Sequence, residues 1–167
     1  TLTNVVFSTG TNFGSTNGIG YFSGLGTSFP FEEGVILTTG DAIQSSGPET
    51  GSISAGDINW PGDVDLANAV PDYNLSSSYN ATFIQFDFIP QSSLISFNFI
   101  FASDEYGTYQ CQYTDAFAFL LTDNVTGATT NLALVPGTSD PISVLSVRDD
   151  THNSSCSSVN EDFFGAY

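Results

Sequence analysis

Asp104, Glu105 and Asp115 are the side chains with most to offer chemically, because carboxylates held close together raise one another's pKa or recruit a counter-charge. The chain cannot supply that counter-charge itself: 18 Asp and Glu face a single cation, Arg148, and the formal net charge is -17. A hard cation can, since Ca²⁺ takes roughly six to eight oxygens from carboxylates, amide oxygens and carbonyls. Asp63 and Asp65 add an alternating acidic pair in the Gly-flanked segment GDVDL (62–66), which does not follow the EF-hand loop pattern. The expected metal ligands are therefore Asp63, Asp65, Asp104, Glu105 and Asp115, with Ca²⁺ as the ion. The competing reading makes these carboxylates solvated loop ends or local caps on backbone N–H groups. Transition metals are poorly served, because only His152 and two cysteines are on offer, and His152 reads as an exposed loop residue.

The same inventory argues against catalysis. There is no G-x-S-x-G elbow, P-loop or H-E-x-x-H motif, and one histidine leaves little room for a Ser-His or Cys-His nucleophile. Glu105 with Asp104 or Asp115 would suffice for a glycosidase, but any acidic protein offers such pairs. No enzyme is expected. Aromatic rings outside the strongest strands (Trp60, Tyr73, Tyr79, Tyr106, Tyr109 and Tyr113) invite a sugar-stacking role, with Trp60 and Tyr106 the possible contacts. The alternative is that they roof the ends of a sheet fold with only their polar tips wet.

Cys111 and Cys156 are expected to form a disulfide in an oxidising compartment, the alternative being two free thiols in a reducing one. Four N-x-S/T sequons, at Asn74, Asn80, Asn124 and Asn153, are candidate glycosylation sites. So acidic a surface repels nucleic-acid phosphates and anionic head groups, so neither nucleic-acid binding nor membrane insertion is expected. The chain opens at Thr1 with no basic-plus-apolar leader, which reads as a mature, secreted or surface-exposed chain.

The elements that must position these groups read as strands. Aromatic and β-branched runs at 83–89, 94–102, 116–122, 131–135 and 142–147 are the clearest, with weaker ones at 3–8 and 34–39. Residues 90–93 look like a hairpin connection between the first two, and 123–127 like another. In 94–102, Ile95, Phe97, Phe99 and Phe101 alternate against Leu94, Ser96, Asn98 and Ile100, a half-buried strand pattern. If 94–102 and 116–122 pair antiparallel, Asp104, Glu105 and Asp115 meet at one end of the sheet. Residues 9–82 are largely Gly, Ser, Thr, Asn and Asp, which suits functional loops and short edge strands. The expected architecture is all-β, an antiparallel sandwich of jelly-roll type with few or no helices, forming one domain over 1–167.

Seven motifs in order carry a family resemblance: GIGYF (18–22), GVILTTG (34–40), GDVDL (62–66), FDFIP (86–90), FIFASDEY (99–106), DAFAF (115–119) and ALVPGT (133–138). Together they resemble the bacterial choice-of-anchor L domain over nearly the whole chain. The likeness implies a secreted or cell-surface protein and no catalysis. The acidic positions of the family's F-A-S-E-E-Y and N-D-x-F-x-F motifs fall on Asp104, Glu105 and Asp115, with Asp104 in place of the commoner Glu. Members of the family usually continue past the Cys156 region with further strands. A sandwich short of strands has open edges that are either protected or paired with another chain. The expected function is a non-enzymatic, calcium-stabilised structural module, a self-assembling subunit of an extracellular fibre whose partners are its own copies or other surface proteins. The alternative is a calcium-dependent carbohydrate-binding or adhesive domain.

Overall fold

The computed structural model describes residues 1–47 and 55–165, so part of the long loop region expected over 9–82 lies outside the described residues. The chain divides into two units, Thr1–Asp63 with Ser76–Asn98 and Val64–Leu75 with Phe99–Tyr167.

In the first unit, the β-branched and aromatic run at the N-terminus forms β1 (Leu2–Ser8) and pairs antiparallel with β4 (Phe83–Phe88), placing Phe7 opposite Ile84. The register shifts between Thr3 and Val6, where Asn4 adopts a left-handed conformation (φ 51°) and its amide donates to Asp87 Oδ2 at 2.6 Å. A bulge of this kind suits asparagine, which tolerates that region better than a β-branched residue. The apolar pieces within the polar stretch form β2 (Ile19–Ser23) and β3 (Glu33–Leu37), an antiparallel pair with Tyr21 opposite Val35.

Trp60 is wholly buried in this unit, with its indole N–H donating to the Ala81 carbonyl at 2.8 Å. Gly10 and Gly18 lie against its ring. A Cβ at Gly10 would come within 2.7 Å of Trp60 Cε3, and one at Gly18 within 3.1 Å of Cη2. Glycine at both places is thus a packing requirement. Thr9 completes the wall, its hydroxyl accepting the Gly18 N–H.

The second unit opens at α1 (Val64–Ala69), so Asp65, expected in an acidic loop, instead lies in the first turn of a six-residue helix. The run at 116–122 splits into β5 (Ala116–Phe117), paired antiparallel with β8 (Ile142–Ser143), and β6 (Leu120–Thr122), paired antiparallel with β7 (Thr129–Asn131). Between the halves, the Asn131 side chain accepts the Phe119 N–H at 3.1 Å, replacing a ladder bond. The β6–β7 hairpin turns over 123–127 as its sequence suggests, closed by Gly127 at φ 73°. Ala133, Val135, Ile142 and Val147 form the core, with Phe101, Phe117, Phe119 and Phe164 packed against it.

Cys111 and Cys156 form a disulfide across 45 residues. Beside it, Arg148 Nε donates to the Ser157 carbonyl at 3.0 Å and Nη1 to that of Gln110 at 3.5 Å. Gln110, wholly buried, accepts the Gly107 N–H and donates to the Asp149 carbonyl at 2.6 Å.

Three expected strands are corrected. Of 131–135, only Asn131 lies in a strand, as the last residue of β7, and Leu134 makes an isolated bridge to Pro141. Residues 94–102 form no strand, and 90–93 is not a hairpin turn, because β4 takes β1 as its partner. The alternating aromatics are nonetheless used: Phe99 meets Phe117 with ring centroids 5.2 Å apart, and Phe101 packs on the second core. Of the face expected to be buried, Phe97 and Phe101 are partly covered while Ile95 and Phe99 stay exposed. Likewise 142–147 supplies a strand only at its first two residues, after which the Ser146 hydroxyl bonds back to Pro141 and turns the chain. Strands outweigh helix among the described residues, and every sheet is a short antiparallel pair.

Candidate functional site

The second unit holds Asp104, Glu105 and Asp115 on two segments. Asp115 immediately precedes β5, and its carbonyl accepts the Val144 N–H at 3.2 Å, fixing it to the β8 side. Asp104 and Glu105 open the turns that lead to Cys111. Ser103 links the two segments: its hydroxyl donates to Asp115 Oδ2 at 2.6 Å and accepts the Glu105 N–H at 3.1 Å.

The electrostatics follow from burial and like charge. Burial raises the Glu105 pKa above the ordinary value, and the charges of Asp115 and Asp104 raise it further. Burial likewise raises Asp115; the Ser103 hydrogen bond offsets part of this, and Asp104 adds to it. Tyr106 is pushed up to about 12, first by burial and then by the Asp115 charge. Glu105 Oε2 is buried without a hydrogen-bond partner. These are carboxylates under mutual pressure, as the charge balance of the sequence implies.

The five acidic residues expected as metal ligands are not gathered into one set. Asp65 lies on α1 and Asp63 closes a segment of the first unit. Among the described residues, no three His, Cys, Asp or Glu side chains form a group able to hold a metal ion.

The aromatic candidates are redistributed. Trp60 cannot stack on a sugar, because it is wholly buried. Tyr106 is half-buried, its ring edge-on to Phe164 with centroids 4.9 Å apart and its hydroxyl donating to the Val147 carbonyl at 2.8 Å. Of these candidates Tyr79, Tyr109 and Tyr113 are exposed, and Tyr109 and Tyr113 are neighbours with centroids 6.0 Å apart. Burial of Trp60 was hidden because its glycine neighbours, Gly10 and Gly18, lie far from it in sequence. Ser103 was passed over as well, although its place two residues before Glu105 in FASDEY is the spacing of a hydroxyl that accepts a backbone N–H.

His152 is partly exposed, its Nδ1 at 2.9 Å from Asp149 Oδ2. Of the four sequon asparagines, Asn80 and Asn153 spend their amides on backbone carbonyls, while Asn74 and Asn124 are exposed. No helix among the described residues is long and apolar enough to cross a membrane.

No curated protein and no solved structure matches the chain. The family model described as Choice-of-anchor L domain does, over residues 1–167, including the Ser103-Asp104-Glu105 segment and Asp115. The chain therefore belongs to the choice-of-anchor L domain family, a family of surface-associated, non-catalytic modules.

Proposed function

We propose that the chain is a structural module of a secreted or cell-surface protein that assembles with copies of itself into an extracellular fibre, its sheets layered as a jelly-roll-like sandwich. The observation that carries this reading is strand pairing. Every sheet among the described residues has two strands, so each strand keeps one edge without a strand beside it. Unpaired edges present rows of N–H and C=O groups that a further chain can take up. On β1 the side chains invite the same: Leu2, Val5, Val6 and Phe7 are each more than half exposed. Electron microscopy of the purified protein across concentrations tests the reading. Filaments are expected, and Val6→Lys, which places a charge on the open β1 strand, is expected to abolish them while leaving Trp60 emission unchanged. Monodisperse particles under every ionic condition would rule out assembly.

Calcium stabilisation belongs to the same proposal. Its support is the pressure on Glu105 and Asp115, raised first by burial and then by neighbouring charge, which a cation taken up beside them would relieve; the three carboxylates do not by themselves form a metal cage. A ligand bound only by the folded state stabilises by mass action, so EDTA is expected to lower the melting temperature and Ca²⁺ to restore it. An unchanged melt removes calcium from the account.

A second reading, an adhesive carbohydrate-binding surface, rests on the exposed pair Tyr109 and Tyr113. It expects glycan-array binding that Tyr109→Ala or Tyr113→Ala removes.

A further inference from the structure

The four sequons offer one chemistry, and the fold treats them unequally. N-glycosylation requires the side-chain amide nitrogen to reach an activated sugar, so an amide engaged in the native structure is a poor acceptor. Asn80 Nδ2 donates to the Asp57 carbonyl at 2.9 Å, and its amide lies so close to Gly56 that a Cβ there would fall 2.9 Å from that nitrogen. Asn153 Nδ2 donates to the Gly107 carbonyl at 2.8 Å and to that of Thr108 at 3.3 Å, holding the loop around Cys156. Asn74 and the Ser76 of its sequon each hold an interaction of their own.

Asn124, exposed like Asn74, lies in a turn whose bonds come from other residues. It is exposed at the tip of the β6–β7 hairpin, beside Val125, which is 94% exposed. Its neighbours build the turn: Asp123 Oδ1 accepts the N–H groups of Val125 at 2.7 Å and Thr126 at 3.1 Å, and the Asp123 carbonyl accepts the Gly127 N–H at 2.7 Å. The turn therefore does not need the Asn124 side chain. Thr126, the hydroxyl residue of the sequon, is exposed on the same turn.

We propose that Asn124 is the N-glycan acceptor of the folded module. The donor is a sugar activated through a diphosphate. A bond forms between Asn124 Nδ2 and the sugar's C1, the bond from C1 to the phosphate oxygen breaks, the diphosphate leaves with the electron pair, and the amide gives up one proton. The biological setting rests on the surface-module reading above; the acceptor geometry does not.

The test supplies both enzyme and donor, so its outcome is separable from the assembly experiment. Folded protein is incubated with a soluble N-glycosyltransferase that reads Asn-x-Ser/Thr and with UDP-glucose, then analysed by intact mass and peptide mapping. One hexose on Asn124 is expected, with complete loss in Asn124→Gln. Thr126→Ala keeps the asparagine but destroys the sequon, and is expected to behave the same; the near-UV circular dichroism of the tyrosines around Tyr106 and Tyr109, which belong to the same unit, checks that both variants fold. The reduced, unfolded chain is expected to gain further hexoses. Hexose on Asn74, Asn80 or Asn153 of the folded chain, transfer undiminished in Asn124→Gln, or a folded chain that accepts nothing would overturn the proposal.

Discussion

Glu105 is where charge and burial meet, and its titration gives the sharpest expectation for a single side chain. Its pKa is raised in the fold, so folding disfavours the ionised form. The resulting penalty is absent below the unfolded value of 4.5, grows as pH rises past it, and is complete above the folded value. Glu105→Gln is therefore expected to raise the melting temperature at pH 7, by about 2 °C, and to lose that advantage near pH 4. A melt of the variant that tracks the parent at both pH values would show that the carboxylate is not under strain. A second expectation concerns Trp60, the only tryptophan. Its emission should be blue-shifted, and Gly18→Ala, which drives a Cβ toward the indole, should cost about 1–3 kcal/mol and shift the emission red. The like charge that Asp104 and Asp115 bring to Glu105 was legible in the sequence because it depends on residue types, whereas the burial that raises Glu105 and Asp115 most was not. The burial of Trp60 was not, because the glycines that admit it come from distant segments.

Strands obey the same division. β1, β3, β4 and the turn between β6 and β7 lie where alternation and turn residues place them, since both are local signals. Which strands pair is not local. The alternation of 94–102 marks Phe97 and Phe101, which are partly buried, but also Ile95 and Phe99, which stay exposed, and the ladder beside β4 was taken by a strand some eighty residues earlier. Side-chain period fixes a face; only tertiary competition fixes a neighbour. The elements around the disulfide make a further expectation. Closing a loop of 45 residues contributes about 4 kcal/mol in the chain-entropy estimate, so replacing both cysteines with serine should lower the melting temperature by roughly 10 °C. Because Trp60 lies in the other unit, its emission and the tyrosine signal around Tyr106 and Tyr109 report the two units separately. An equal loss seen first by Trp60 would contradict a local action of the disulfide.

Across the whole molecule, the balance of -17 sets the response to ions. Self-repulsion among uncompensated carboxylates destabilises the compact state, and added salt screens it. Melting temperature is expected to rise with NaCl. At matched ionic strength, Ca²⁺ should stabilise beyond Na⁺ if the acidic groups bind it, and beyond Mg²⁺ if they bind it selectively; equal effects of all three would mean screening alone. Arg148, the chain's single guanidinium, gives its hydrogen bonds to the carbonyls of Gln110 and Ser157. Those residues are the immediate neighbours of Cys111 and Cys156. When a reductant opens the bridge, that brace is expected to keep the two cysteines close, so that reoxidation of the dilute protein returns monomer, and not disulfide-linked dimer, on a non-reducing gel.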